Sequence, residues 1–281
     1  MSNSETAPEP HPARRHETEP GGITYDRYRT ARLLTRLVRR LSIRTAVEVP
    51  AGGAKACPSL YSLPLALAGC RVVLVNPSRR PLAQWTRLGL AHLATSVQAR
   101  PGALPFPDAS FDLAWNFVTL GWEESIAAPL LEMARVARAV LLVQQNGYNV
   151  GYPWHRLLHR LFRIPWDHGQ TRYFFPACVK DEMERAGLSG IEIGLLDQCP
   201  WPDPPGFRDL RLHLSGRRPH PEDEVDWTVP AVDHLAAGEF PTWMRLLGAI
   251  EDLPVPLLFR WPVNHLFYAL GFAGGRSPLA R

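Results

Sequence analysis

Apolar residues along this chain fall into blocks of two different periods. Leu33, Leu34, Leu37, Val38 and Leu41 recur at helical spacing over residues 25–42, while Arg29, Arg32, Arg36 and Arg40 share another face; this predicts an amphipathic helix lying on a core. Residues 45–49 form a short apolar run that ends in the turn Pro50-Ala51-Gly52-Gly53-Ala54, with a helix-compatible stretch to Leu67 and a buried strand at 70–75 behind it. Strand, glycine turn, helix, strand is the unit from which parallel sheets are built. The alternation continues with a helix near 81–93, a short strand near 96–98, a strand at 111–117, a helix near 125–137 and a strand at 139–144. Five parallel strands with helices between them predict an α/β, doubly wound domain, in which ligands bind beyond the carboxyl ends of the strands.

Outside that block the pattern weakens. Residues 1–22 carry Pro8, Pro10, Pro12 and Pro20 among acids and histidines with almost no large apolar side chain, which predicts a disordered tail ahead of a core spanning 23–199. Residues 176–186 read as a helix and 191–196 as a strand. Residues 200–241 are rich in proline and charge and read as a surface insertion. The remainder, 242–281, supplies a helix near 242–250 and a buried last strand near 265–270. The apolar stretch 256–272 is interrupted by Pro256, Arg260, Pro262 and Asn264-His265, which argues against a spanning helix and leaves at most a weak interfacial contact with a membrane.

Composition narrows the classes further. With 281 residues, 46% of them hydrophobic and 21% charged, the chain can bury one sizeable core. The net charge of +4 rests on arginine, since Lys55 and Lys180 are the only lysines, and it is no strong signal for nucleic acid. Cys57, Cys70, Cys178 and Cys199 are widely spaced, form no C-x-x-C pair and follow no leader, so a reduced, cytoplasmic protein is expected. No serine sits in a G-x-S-x-G turn, and no G-x-G-x-x-G turn supports a nicotinamide oxidoreductase. His155 and His159 lie one helical turn apart, but Arg156 stands where a zinc protease has its glutamate and no third ligand is evident, so no metal is expected.

Residues 104–120, LPFPDASFDLAWNFVTL, carry one acid, Asp112, at the start of an apolar strand. This stretch, with Leu130-Leu131-Glu132-Met133-Ala134-Arg135-Val136, resembles the class I S-adenosylmethionine-dependent methyltransferases of the type 11 kind, over roughly residues 30–200. The resemblance implies a Rossmann-like sheet of seven strands, mostly parallel with the last antiparallel, in three α/β/α layers. It also implies S-adenosylmethionine as cofactor and cofactor contacts at Glu48, Ala51, Gly52, Gly53, Asn76, Pro77, Ala103, Leu104, Asn116 and Phe117. Glu48 stands where the family holds the cofactor's ammonium group, directly or through water. Asn76 stands where an acid usually binds the ribose hydroxyls, so adenosine should be held less tightly than by an acid there.

The cofactor motifs are degenerate at Pro50, Ala54, Asn76 and Arg100. In addition, 28 positions separate Glu48 from Asn76, several more than is usual in the family, and 55–62 looks like the extra turn. Beyond the fifth strand, Asn146-Gly147-Tyr148-Asn149-Val150-Gly151-Tyr152-Pro153-Trp154-His155 and Trp166-Asp167-His168 occupy the insertion that covers the acceptor in such enzymes. Tyr148, Tyr152, Trp154 and Trp166 are the expected substrate contacts, and His155, Asp167 and His168 the available bases. The expected function is methylation of a small, partly apolar metabolite. The alternative is a catalytically silent methyltransferase-like subunit that binds a protein partner through its arginine-rich helix.

Overall fold

The computed structural model describes residues 15–53, 57–198, 210, 213–215 and 225–274. Strand β1 (Arg15–Thr18) pairs in parallel with β8 (Val225–Thr228) as a separate ribbon. The central sheet has seven strands: β2 (Thr45–Glu48), β3 (Arg71–Val75), β4 (Ala94–Val97), β5 (Phe111–Phe117), β6 (Ala137–Gln145), β7 (Leu188–Gln198) and β9 (Asn264–Ala273). Their order across the sheet is β4-β3-β2-β5-β6-β9-β7. Strands β2 to β6 run parallel, and β9 is antiparallel to both neighbours, β6 and β7. The sheet is therefore the mostly parallel, Rossmann-like one expected, and the strand order reverses between β2 and β5, where such sheets open a crevice.

Every residue of β5 is buried, because helices cover both faces of the sheet. Leu113, Trp115 and Phe117 join one core cluster with Leu33, Leu34 and Leu37 of helix α1 (Gly21–Leu41). Ala114 joins the other, with Leu130 and Met133 of α4 (Ala127–Val136) and Val179 and Met183 of α6 (Pro176–Arg185). Asp112, the acid of this strand, has a structural task. Its Oδ2 accepts the amides of Arg44 at 2.7 Å and Thr45 at 3.0 Å, stapling the start of β2 to β5, and Arg138 meets its other oxygen.

Short helices α2 (Leu63–Leu67) and α3 (Leu82–Arg87) follow β2 and β3. Helix α5 (Gly151–Leu161) opens the insertion after β6, while α7 (Pro230–Ala237), α8 (Thr242–Glu251) and α9 (Leu257–Arg260) precede β9. No helix among the described residues is long and apolar enough to cross a membrane. Leu257, Leu258 and Phe259 are exposed, whereas Leu266, Phe267 and Leu270 are fully buried in the sheet.

Three expectations need correction. The tail expected over 1–22 does not extend through 15–22, because β1 finds a ladder partner and α1 begins at Gly21; residues 1–14 lie outside the described residues. The proline-rich insertion stops short of 225, because β8 pairs with β1 and α7 packs on α1 with Ala231 and Val232 fully buried. Cys199 and most of 200–224 lie outside the described residues, while Cys57 and Cys70 are buried thiols. The arginine stripe is also not a bare face. Buried Arg29 meets Glu251 and Asp252 at 2.8 Å each, Arg32 meets Asp252 at 2.9 Å and Arg40 meets Glu192 at 2.7 Å.

Arg27, off that stripe, is a deeply buried charge. Its Nε lies 2.6 Å from Glu19 Oε1, with both side chains almost wholly buried. Removing one partner of such a pair strands the other in low dielectric, whereas a half-exposed surface pair is worth little. Arg27→Ala should therefore cost about 3–5 kcal/mol in urea unfolding. Arg40→Ala should cost under about 1 kcal/mol, and equal losses would mean that the inner pair is no more important than the outer.

Candidate active site

The carboxyl ends of β2 and β5 and the turn between β2 and α2 enclose a small hollow lined by Glu48, Pro50, Ala51, Gly52, Gly53, Pro58, Tyr61, Phe117 and Thr119. Five residues expected at the cofactor, Glu48, Ala51, Gly52, Gly53 and Phe117, are thus brought together. Asn76 lies at its edge through its backbone, since a Cβ on Gly52 would come within 2.6 Å of the Asn76 carbonyl oxygen. Gly52 is required for that close approach of two chain segments. Gly53 adopts φ +113°, a conformation that other residues rarely reach.

The hollow is narrow. It holds about 10 Å³, room for one water molecule at most. Tyr61 fills it, stacked on Phe117 with ring centroids 3.9 Å apart, and the Arg27 guanidinium lies 4.2 Å from the Tyr61 ring on its way to the Cys57 carbonyl at 2.7 Å. Tyr61 belongs to the extra turn. Ser59, wholly buried, ties that turn down by donating to the Ala51 carbonyl at 2.9 Å and accepting the Ser78 amide at 2.9 Å. Trp85 Nε1 donates to the Ser59 carbonyl at 2.9 Å. The unusual spacing from Glu48 to Asn76 marked this segment in the sequence; which side chain it would drive into the cleft could not be read there.

Glu48 is buried, and Ser62 Oγ donates to its Oε2 at 2.6 Å while accepting Trp115 Nε1 at 2.9 Å. Burial raises the Glu48 pKa to about 8, against the opposing pull of the Ser62 hydrogen bond and the Arg27 charge. At neutral pH the carboxyl is therefore largely protonated, and a cation arriving beside it would have to ionise it first.

The expected ribose residue is also committed. Asn76 Nδ2 donates to the Ala99 carbonyl at 2.7 Å and its Oδ1 accepts the Ala99 amide at 3.0 Å, so the side chain braces the turn after β4. Asn116 Nδ2 reaches the Val49 carbonyl at 2.9 Å and Thr119 Oγ1 at 2.7 Å, and its Oδ1 accepts the Leu120 amide. Pro77, Ala103 and Leu104 do not line the hollow, and the Arg100 side chain is exposed. As arranged here, a hollow of about 10 Å³ is too small for a nucleoside.

In the insertion the aromatic residues divide. Tyr152 packs edge-on against Trp166 and Phe174, and Tyr148 against Phe175 and Trp261. Trp154 is 45% exposed. The expected bases converge: His155 and His168 have ring centroids 4.5 Å apart, and Asp167 Oδ1 lies 3.3 Å from His168 Nε2. His159 completes the group, with Nε2 3.1 Å from His155 Nε2. This loop joins the cleft through the turn after β5, where Thr119 lines the hollow and the Gly121 carbonyl accepts the Gln170 amide at 2.8 Å.

Residues 54–140 match the family model described as a methyltransferase domain. A search of curated proteins gives no match. Among solved structures, the chain is similar to a SAM-dependent methyltransferase from Thermotoga maritima at 14% identity and TM-score 0.46, covering 89% of this chain and 98% of that one. It is similar to the YcgJ protein of Bacillus subtilis at 11% identity and TM-score 0.48, with 88% and 98% covered. It is also similar to geranyl diphosphate methyltransferase, solved with SAM, at 14% identity and TM-score 0.46, with 86% and 84% covered. At these levels the likeness says nothing of chemistry.

Two measurements test the site's electrostatics and hydrogen bonding. Because the Glu48 pKa is raised in the folded state, the folded protein keeps a proton that the unfolded chain releases. This contribution is full below the ordinary value of 4.5 and is lost as pH rises to about 8. Urea midpoints for wild type minus Glu48→Gln should thus fall across that window, by about 1.4 kcal/mol per pH unit at the steepest; a flat difference would mean an ionised Glu48. Asn76→Asp loses the donor to Ala99 and sets a carboxylate against its carbonyl, so stability should drop by about 1–3 kcal/mol. An unchanged midpoint would free Asn76 for the ribose role that the sequence suggested.

Proposed function

We propose, for a chain whose residues 54–140 carry a methyltransferase-domain match, that the protein is an S-adenosylmethionine-dependent methyltransferase with its cofactor cleft narrowed, acting on a small, partly apolar acceptor. The observation that carries the reading is the convergence of Glu48, Ala51, Gly52, Gly53 and Phe117 at the carboxyl ends of β2 and β5, beside the point where the strand order reverses. Once Tyr61 has left, the exposed edge of Glu48 is the acid that meets the cofactor's ammonium group, and the backbone at Gly52 and Gly53 lets the ligand approach. S-adenosylmethionine, when bound, supplies the electrophilic methyl group.

This chain's own residues then have the tasks of placing the acceptor and taking its proton. Tyr148, Tyr152 and Trp166 form the aromatic wall for an apolar acceptor, whereas Trp154 is exposed. His155, Asp167 and His168 are the group from which a base is drawn, and their loop is tied to the cleft at Gly121.

A second reading, a silent methyltransferase-like binding subunit, is favoured by one specific observation: the cleft is filled by Tyr61 and braced by Arg27, while Asn76 is spent on Ala99. Its docking face is not the arginine stripe of α1, where Arg29, Arg32 and Arg40 already hold acids of the same chain.

Calorimetry with S-adenosylmethionine separates the two readings. The enzyme reading expects saturable heat that varies with the ionisation enthalpy of the buffer as Glu48 gives up its proton. It also expects tighter binding by Tyr61→Ala, about tenfold for each 1.4 kcal/mol of closing energy removed. No heat from either protein at high concentration would leave the silent subunit.

A further inference from the structure

We infer that the insertion after β6 holds a divalent transition-metal site of the zinc type, made by His155, His159 and His168. Their ligand atoms lie within 4.8 Å of one another, a convergence that the sequence does not disclose because His168 comes from the loop beyond α5. The pair on the helix is already near bonding geometry. His155 Nε2 and His159 Nε2 are 3.1 Å apart, and two imidazole nitrogens at about 2.0–2.1 Å from one tetrahedral zinc stand only a little farther from each other.

The surroundings settle which nitrogen is available. His159 Nδ1 lies 3.1 Å from the Pro165 carbonyl, which can only accept, so Nδ1 carries the hydrogen and Nε2 keeps its lone pair toward His155. A backbone carbonyl on the outer nitrogen is how metal-bound imidazoles are oriented. Asp167 Oδ1, 3.3 Å from His168 Nε2, provides the carboxylate version of the same support. Trp166 roofs the group, its ring centroid 5.2 Å from His155, 5.1 Å from His159 and 4.8 Å from His168. Its own Nε1 is fixed by the Gly169 carbonyl at 2.9 Å.

Gly169 has no room for a side chain, since a Cβ there would come within 2.2 Å of Trp122, so the loop carrying His168 is set closely against the turn after β5. Three imidazoles without a thiolate suit zinc, copper, nickel or iron, and disfavour calcium and magnesium, which take oxygen ligands. Three protein ligands leave a fourth position for water or a carboxylate oxygen.

The site rests on this histidine geometry alone and not on the transferase reading. The two are nevertheless linked: a lone pair given to a metal is one that a general base needs. Metal occupancy and proton abstraction by His155 or His168 therefore exclude each other.

The test uses untagged full-length protein, stripped with a chelator and titrated with Co(II) and Zn(II). The expected result is one equivalent of metal per chain, with the visible absorption of tetrahedral Co(II) bleached by Zn(II). The emission of Trp166, isolated as the difference from Trp166→Phe, should be quenched by Co(II). His168→Ala and His155→Ala, both half-buried positions that the fold tolerates better than His159, should lose the Co(II) spectrum. Asp167→Asn should weaken binding about 10–100-fold, and His92→Ala, at an exposed histidine elsewhere, should bind as wild type. Absence of saturable metal in the wild type, or an unchanged Co(II) spectrum in His155→Ala and His168→Ala, would overturn the site. S-adenosylmethionine plays no part in these readings, so they stand apart from failure of the cofactor experiment.

Discussion

The buried Arg27 guanidinium organises the cleft at the carboxyl ends of β2 and β5. Arg27 is carried into the protein on α1, neutralised by Glu19, and then spent on the Cys57 carbonyl and the face of Tyr61. A charge at that depth is tolerated when it is paired, and the pairing with Glu19 and the bond to the Cys57 carbonyl hold the turn at 57–62 against the sheet. The narrow hollow follows from it, because the tyrosine so held is the one stacked on Phe117. The raised Glu48 pKa belongs to the same region: the carboxyl is buried, and the Ser62 hydrogen bond and the Arg27 charge only partly offset the loss of solvation.

The two stretches that most resemble methyltransferases are a single structural device. Arg135, from the α4 segment, donates to the carbonyls of Phe106 at 2.8 Å and Leu104 at 3.0 Å and pairs with Asp108 at 2.7 Å, while Glu132 accepts the Leu104 amide at 2.7 Å. The Arg135 hydrogen bond holds the Glu132 pKa below its ordinary value. These contacts lock the proline turn that delivers β5 into the sheet. They explain how the resemblance is strong in segments that mostly brace the sheet, with Phe117 and Thr119 at the end of the first stretch lining the hollow, and they place most of it on the side of fold. The residues that would carry chemistry lie elsewhere, in the turn after β2 and in the insertion after β6, and there the chain follows its own course.

That division has a physical origin. The sheet is held by many burials and ladder bonds that tolerate exchange of one apolar residue for another, so its pattern persists in any sequence of this architecture. The cleft depends on a handful of polar groups with fixed partners, and changing Asp to Asn at position 76 replaces a ligand acceptor with a side chain that satisfies both groups of Ala99. A neutral amide is the better brace there and the poorer ribose partner.

Taken alone, the sequence determined the alternation of strands and helices, the buried 111–117 strand and a buried last strand, because each is written in local hydrophobic period; the antiparallel direction of that strand came from the family resemblance. It also marked 55–62 as surplus length and 146–168 as the aromatic, histidine-bearing insertion. Only the tertiary structure decided that Tyr61 fills the cleft, that Arg27 and Arg29 are internal charges, that residues 15–18 find a strand partner more than two hundred positions away, and that His168 closes on His155 and His159. These contacts join different parts of the fold, from eight positions apart for Arg27 and Glu19 to more than two hundred for β1 and β8. A residue's period reports which face it shows, but its partner is set by how the whole sheet brings faces together, and no local pattern encodes that.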